Sequence, residues 1–377
     1  MSGALIDLVS KGVQDVHITG SPQVSYFRQN FKRHTNFSFR PYRLNYIGEF
    51  RGGNEVSIKI PIKGDMLSYM WLEGDGINTP YLQNGNGNGN PNSLSSESDT
   101  PTEFALYIGG QLVDRQDSIF KSIVWTGAGY AETGVKADMS VPGAVATFDS
   151  KVTNFFPLHF FFCDSFKSCL PLLAMQYHEV EIRIKCRPGF NPDSQPRVCA
   201  NYIYLDTDER KYFVDTDHEL LISQVQKIPV QKSDIDLSYF NHPVQALHLV
   251  ANDGALLDGD EIDITPNRFT SSTMYINGTP LHEDMSPEYS SLVTRYHHAR
   301  HTNHSIINGI SQMNIYTFPF TLSLSMYSPA GSVNFSRLDN AELKLRDFVA
   351  NQYDNIYAIN WNILRIKNGM AGVAYSN

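Results

Sequence analysis

The sequence predicts an all-β protein of two antiparallel sandwiches in tandem. Three observations carry this. Period-two alternation of apolar and polar residues recurs along the chain, long helical periodicity is rare, and Gly, Pro and Asn punctuate the strand-like runs. The 377 residues exceed what one core usually serves, and a 41% hydrophobic content can fill two. The 22 Phe and 20 Tyr are residues that strands favour.

Taken in order, residues 1–24 read as an N-terminal arm, 25–212 as the first sandwich, 213–228 as a linker with a short helix, and 229–377 as the second sandwich. A basic-aromatic stretch follows the arm. It holds Arg28, Lys32, Arg33, Arg40 and Arg43 among Tyr26, Phe27, Phe31, Phe37, Phe39 and Tyr42. It reads as a polar strand edge, with contact to nucleic acid or an anionic surface as the alternative. In "EVSIKIPIK", Val56, Ile58, Ile60 and Ile62 share one face; in "HEVEIRIKC", Val180, Ile182 and Ile184 do. Between them, "NGNGNGNPNSLSSESD" (84–99) has almost nothing to bury and reads as a long surface loop. The run "NYIYLDTDERKYFV" ends in acidic residues that read as a solvated turn. "DTDHELLISQVQKI", Asp215 to Ile228, is the best helix candidate, with Leu220, Leu221 and Val225 as its stripe. In "FPFTLSLSMY", Phe318 through Met326 alternate, as do Ile359, Trp361 and Ile363 in "IYAINWNILRI". The last residues are small, and Gly369, Ala371, Gly372 and Ala374 allow close packing of the tail.

Composition removes several functional classes. A formal net charge of −9 is unsuited to gripping nucleic acid along the whole chain. The N-terminus lacks a signal-peptide pattern, and no apolar run approaches the ~20 residues of a membrane span. A soluble, cytosolic product is expected, with Cys163, Cys169, Cys186 and Cys199 as reduced thiols.

Two patterns could carry chemistry. Asp206 and Asp208 have the D-x-D spacing of a metal-dependent glycosyltransferase. That chemistry needs a third ligand and a nucleotide pocket on a parallel sheet, and the strand–helix alternation of such a sheet is missing. Residues i and i+2 of one strand also cannot face each other across a cleft. His297, His298, His301 and His304 cluster in "RYHHARHTNHS". On a helix, His297 and His301 would share a face and could bind zinc, but no glutamate stands among them as a base. Neither pattern is assigned catalysis or a metal. Asn36, Asn277, Asn303 and Asn334 begin N-x-S/T sequons, which matter only where a glycosylation machinery is met.

A set of stretches in fixed order resembles the double jelly-roll major capsid proteins of large nucleocytoplasmic DNA viruses, of the algal-virus, iridovirus and giant-virus type. They are "GVQDVHITGSPQVSYFRQNFKRHTNFS", "IGGQLVD", "LHFFFCD", "LPLLAMQYHEVEIRI", "YIYLDTDERKYFV" with "HELLISQVQ", "FNHPVQAL", "GSVNFSRLDNAELKL" and the terminal "YAINWNILRIKNGMAGVAYSN". Together they span nearly the whole chain. The chain looks short between Cys186 and Asn201 and between Ala251 and Phe269. The resemblance implies two eight-stranded jelly rolls with short helices in loops, no enzymatic reaction and no cofactor. It implies a homotrimeric, pseudo-hexagonal capsomer tiling an icosahedral shell, assembled in the host cytoplasm. The partners would be neighbouring capsomers, minor capsid and penton proteins and, indirectly, an internal viral membrane, with no sequence-specific nucleic acid. A glycan-binding jelly-roll module is the alternative reading.

Overall fold

The computed structural model describes residues 9–29, 31–74, 102–125, 127–130, 136, 155–188, 194–251, 268–300, 315–325, 328–350 and 354–375. The Asn/Gly loop at 84–99 lies outside them. The chain divides into two compact units, Met1–Asn36 and Phe37–Asn377. The first contains one helical turn, α1 (Val16–Thr19), and its described apolar side chains, Val13, Ile18, Tyr26 and Phe27 among them, are exposed.

The second unit begins with eight strands: β1 (Phe37–Leu44), β2 (Glu55–Ile60), β3 (Met66–Glu73), β4 (Glu103–Ile108), β5 (Gln111–Asp117), β6 (Phe155–Pro157), β7 (Val180–Lys185) and β8 (Arg197–Leu205). They form two antiparallel sheets in the orders β1-β8-β3-β6 and β2-β7-β4-β5. The pairs β1·β8, β2·β7, β3·β6 and β4·β5 nest inside one another, as in one long hairpin rolled into a sandwich. That nesting defines a jelly roll. The expected alternation fills its core: Ile58 faces Ile182 and Ile60 faces Val180 across the β2·β7 ladder, all buried. Ile62 does not join them and is exposed, because Pro61 lacks the N–H needed to continue the ladder and β2 stops at Ile60.

The rest of the chain repeats the plan. Its strands are β9 (His218–Pro229), β10 (Asp234–Asp236), β11 (Pro243–Val250), β12 (Ser271–Ile276), β13 (Thr279–Met285), β14 (Ile315–Pro319), β15 (Val333–Asn334), β16 (Ala341–Arg346), β17 (Asn355–Lys367) and β18 (Met370–Val373). The ladders β9·β17, β17·β11 and β11·β14 make one sheet, and β10-β16-β12-β13 the other. This is the strand order of the first jelly roll, with β15 and β18 added. The fold is a double jelly roll. Short helices lie in its loops: α2 (Phe161–Asp164), α3 (Thr207–Asp215) and α4 (Thr294–His298). Three two-residue hairpins use Gly109-Gly110, Asn277-Gly278 and Asn368-Gly369, all at positive φ, as tight hairpins require.

Three expectations are corrected. The helix expected from Asp215 to Ile228 is absent beyond Asp215, which ends α3. Residues 218–229 form β9, paired residue for residue with β17 from His218↔Ile366 to Pro229↔Asn355. A ladder to a partner more than a hundred residues away outweighs a weak local stripe. The helix lies one segment earlier, where a solvated turn was expected: Asp206 caps α3. The strand expected from Phe318 to Met326 ends at Pro319. The chain turns after it, leaving Leu322 exposed and Leu324 buried, and Met326 lies outside the described residues.

Strands β9 and β17 are long enough to serve both sandwiches. Ile356 and Ala358 pack in the second core, whereas Ile222, Leu364, Ile366 and Ala371 pack in the first. The β17–β18 hairpin is held there by Tyr177 N–H to Gly369 O (3.0 Å), His178 Nδ1 at 2.7 Å from Ala371 O, and Val373 N–H to Gln111 Oε1 (3.1 Å).

Candidate functional site

The acidic pair beginning at Asp206 is a helix start. Asp206 Oδ1 accepts the Glu209 N–H at 3.0 Å, satisfying one of the unpaired donors of the first turn. Asp208 is exposed in that turn, where a carboxylate suits the helix dipole. Arg210 pairs with buried Asp65 at 3.1 Å, and Asp65 accepts the Leu205 N–H at 2.8 Å, which pins α3 to the end of β8. The two described histidines of the cluster do not converge either. His297 is exposed against Tyr296, His298 Nδ1 lies 2.8 Å from Thr321 O, and His301 and His304 lie outside the described residues. Among the described residues, no three His, Cys, Asp or Glu side chains are placed to hold a metal. All four cysteines are free; burial pushes Cys186 to about 11 and Cys169 to about 12, which makes them poor nucleophiles. Of the sequons, Asn277 and Asn334 use their side-chain oxygens locally. Asn277 accepts the Asp339 N–H at 3.0 Å and Asn334 accepts the Ser336 N–H at 3.1 Å. Asn36 is exposed and Asn303 lies outside the described residues.

The charged and polar groups that do converge lie on the seam between the two jelly rolls. Strand β5 presents Asp114, Gln116 and Asp117, all buried, toward β9 and β17. Asp114 accepts the Val225 N–H at 2.9 Å and the Gln116 amide at 2.7 Å. Asp117 accepts from Lys227 at 2.7 Å and from the Tyr357 hydroxyl at 2.9 Å. Gln224 donates to Val113 O, and along the β9·β17 ladder Gln226 bonds Asn360 (2.9 Å) and Asn362 bonds Gln224 (2.8 Å). Deeper in, Tyr130 Oη and His248 Nε2 lie 2.7 Å apart, and Arg295 donates to Gly127 O at 3.0 Å. A small apolar cluster backs this network: Phe120, Val124, Trp125 and Ala128 from the first half meet Val250, Tyr357 and Ile359 from the second.

Burial sets the electrostatics. It pushes the Asp114 carboxyl up to about 7, against the lowering effect of its hydrogen bonds. It drives His248 down to about 3, helped by the nearby Arg295 charge. It also lowers Lys121, which lies over the Phe156 ring, and His159, which stacks on Trp125 with centroids 3.7 Å apart. A cleft of about 90 Å³ beside Gln116, Trp125, His159 and Trp361 has room for a few waters, not for a buried substrate.

Buried carboxylates held by several donors resist rearrangement, and removing a donor leaves one under-compensated. The seam therefore fixes the orientation of one jelly roll on the other. It is a mechanical site: it makes two sandwiches into one rigid block. The sequence did not mark these residues. "IGGQLVD" carries part of the family resemblance, but nothing local in it or in the Gln116 and Asp117 that follow shows that β9 and β17 bury them.

Known proteins supply the context for such a block. A family model described as the N-terminus of major capsid proteins matches residues 25–206, and one described as large eukaryotic DNA virus major capsid protein matches 209–372. The major capsid protein of Pyramimonas orientalis virus is 31% identical, with 100% of both chains covered. That of Paramecium bursaria Chlorella virus 1 is 27% identical, again over 100% of both. Among solved structures, PBCV-1 VP54 superposes with a TM-score of 0.72 at 23% identity, covering 94% of this chain and all of that one. The Faustovirus major capsid protein superposes at 0.60 with 9% identity over 95% of each. These superpositions bear on fold.

Proposed function

The chain belongs to the major capsid proteins of large eukaryotic DNA viruses, and from that membership we propose how it builds a shell. Its role is structural, in the virion capsid. Three copies close into a homotrimer, and three pairs of jelly rolls make a six-lobed, pseudo-hexagonal tile for an icosahedral shell. The observation that carries this is the repeated strand order: two sandwiches of one plan, locked by the seam, give one chain two similar lobes. The lobes are residues 25–212 and 229–377, tied together by β9 and by the C-terminal hairpin. Residues 1–24 are an arm that reaches a neighbouring subunit or a minor capsid protein. A head-to-tail contact whose rotation closes at three makes the ring.

In this reading the tile touches neighbouring capsomers, minor capsid and penton proteins, and through them an internal membrane. It performs no reaction, and assembly takes place in the host cytoplasm. Each subunit contact buries well over ~1,000 Å², as permanent interfaces do. Light scattering on the purified protein tests the proposal. A dilution-resistant mass three times the chain's 42.5 kDa supports it, and a stable monomer or dimer overturns it.

A further inference from the structure

The segment from Tyr289 to His298 is folded inside out. A π-helical turn, Tyr289–Val293, runs directly into α4. Its inward face is polar: Ser290, Ser291, Thr294 and Arg295 are 0%, 3%, 3% and 4% exposed. Its outward face is apolar: Tyr289, Leu292, Val293 and Tyr296 are 39%, 49%, 42% and 83% exposed. The spacing i, i+3, i+4, i+7 is that of the stripe a helix normally turns to its core. Hydrogen bonds hold the reversed orientation. Ser290 donates to Pro287 O (3.0 Å), Thr294 to Ser290 O (2.8 Å), and Arg295 to Ser291 O and across the seam to Gly127 O (3.0 Å). Rolling the helix over would strand these groups. On the turn bonded to His298, Leu322 is also exposed. The bare surface is on the order of several hundred Å², the size at which a patch on a single chain marks an interaction site.

The first jelly roll carries a second bare group. Tyr69 on β3 sits edge-to-face with exposed Phe166 at 6.0 Å and lies 5.6 Å from Trp71. Lys167 borders this group on one side and Glu73, which accepts from Trp71 Nε1 at 2.6 Å, on the other. The helical stripe is bordered by Glu288 at its start and Arg300 beyond its end. Each patch thus has an apolar centre with charges of both signs at its rim, and at the first patch Arg197 stands across the β3·β8 ladder from Glu73.

We infer that these are the two halves of one subunit contact, the stripe of one copy seating on the Tyr69–Trp71–Phe166 group of the next copy of this chain. The inference rests on the trimer proposed above. A closed ring of identical chains needs two different, complementary faces on each chain. This chain bears one on each jelly roll, and the rims match when Lys167 meets Glu288 and Glu73 meets Arg300.

Light scattering on four proteins tests it: the unaltered chain, the double variant Leu292→Lys with Tyr296→Lys, Phe166→Lys, and Val349→Lys as an exposed control that belongs to neither patch. Circular dichroism checks that each is folded, and Tyr296→Ser is carried as a milder variant. The unaltered chain and the control are expected at three chain masses, and each face variant as a folded monomer. An equal mixture of the two face variants is expected at two chain masses, because each keeps the face the other has lost. A trimeric unaltered protein whose face variants also remain trimers overturns this contact and leaves the trimer standing. A monomeric unaltered protein overturns the trimer itself.

Discussion

Asp114 of β5 accepts the backbone N–H of Val225 of β9 at 2.9 Å, so a carboxylate of the first jelly roll holds a strand of the second. It is buried, and its carboxyl titrates near 7 instead of 3.8. The sign of its effect follows. A folded-state pKa above the unfolded value means folding favours the protonated form. That stability is fully present below about 4 and is lost as pH rises through 7. His159 and His248 act in the opposite sense, since burial lowers both and their contribution is lost as pH falls below 6.5. Comparison with Asp114→Asn isolates the carboxylate. The difference in thermal midpoint, variant minus unaltered chain, is expected to grow in the variant's favour between pH 4 and pH 8. A difference independent of pH would remove Asp114 from this role.

Tyr357→Phe tests the second strut of the seam. The hydroxyl donates to Asp117 at 2.9 and 3.1 Å, and its loss leaves a buried carboxylate with Lys227 and the Phe120 N–H. Hydrogen bonds to charged groups contribute about 1.5–3 kcal/mol, and a loss of that size is expected in urea unfolding. A change below about 0.5 kcal/mol would mean that water replaces the hydroxyl freely.

The β4–β5 turn separates backbone strain from packing. Gly109 and Gly110 both sit at positive φ, where alanine is strained by roughly 1 kcal/mol. A Cβ on Gly110 would meet nothing within 4 Å, but one on Gly109 would lie 2.4 Å from the His178 ring. That ring bonds Ala371 and helps dock the C-terminal hairpin. Gly109→Ala is therefore expected to lower the thermal midpoint by several degrees more than Gly110→Ala. It should also speed proteolysis after residue 367. Equal effects would show that His178 moves aside without consequence.

The acidic run offers a fourth test. Asp206→Ala removes a cap and is expected to cost about 1 kcal/mol, whereas Asp208→Ala, exposed in the first turn, should change stability by less than ~0.5 kcal/mol. Calorimetry with manganese and a nucleotide sugar should show no binding to the unaltered chain. Binding that Asp208→Ala abolishes would restore the catalytic reading of this pair.

These residues also show what the sequence discloses. Val56, Ile58 and Ile60 were legible because a half-buried strand writes its own period, and the capsid resemblance lay in ordered stretches along both jelly rolls. Strand β9 was not, because its partner β17 lies far along the chain and Leu220, Leu221 and Val225 happen to fit a helix. The Asp206 cap is masked for the same reason: Asp206 and Glu209 have capping-box spacing, D-x-x-E, but the apolar stripe that suggests a helix lies further along the chain. The seam was illegible for a deeper reason. Nothing local tells Asp114 and Asp117 from solvated carboxylates; the strands that bury them are more than a hundred residues away.

Electron microscopy of the purified protein tests the central claim most directly. The account predicts averaged views with six lobes in a near-hexagonal outline and three-fold symmetry, each chain supplying two lobes. Isolated two-lobed particles, or rings with any other number of lobes, would contradict it.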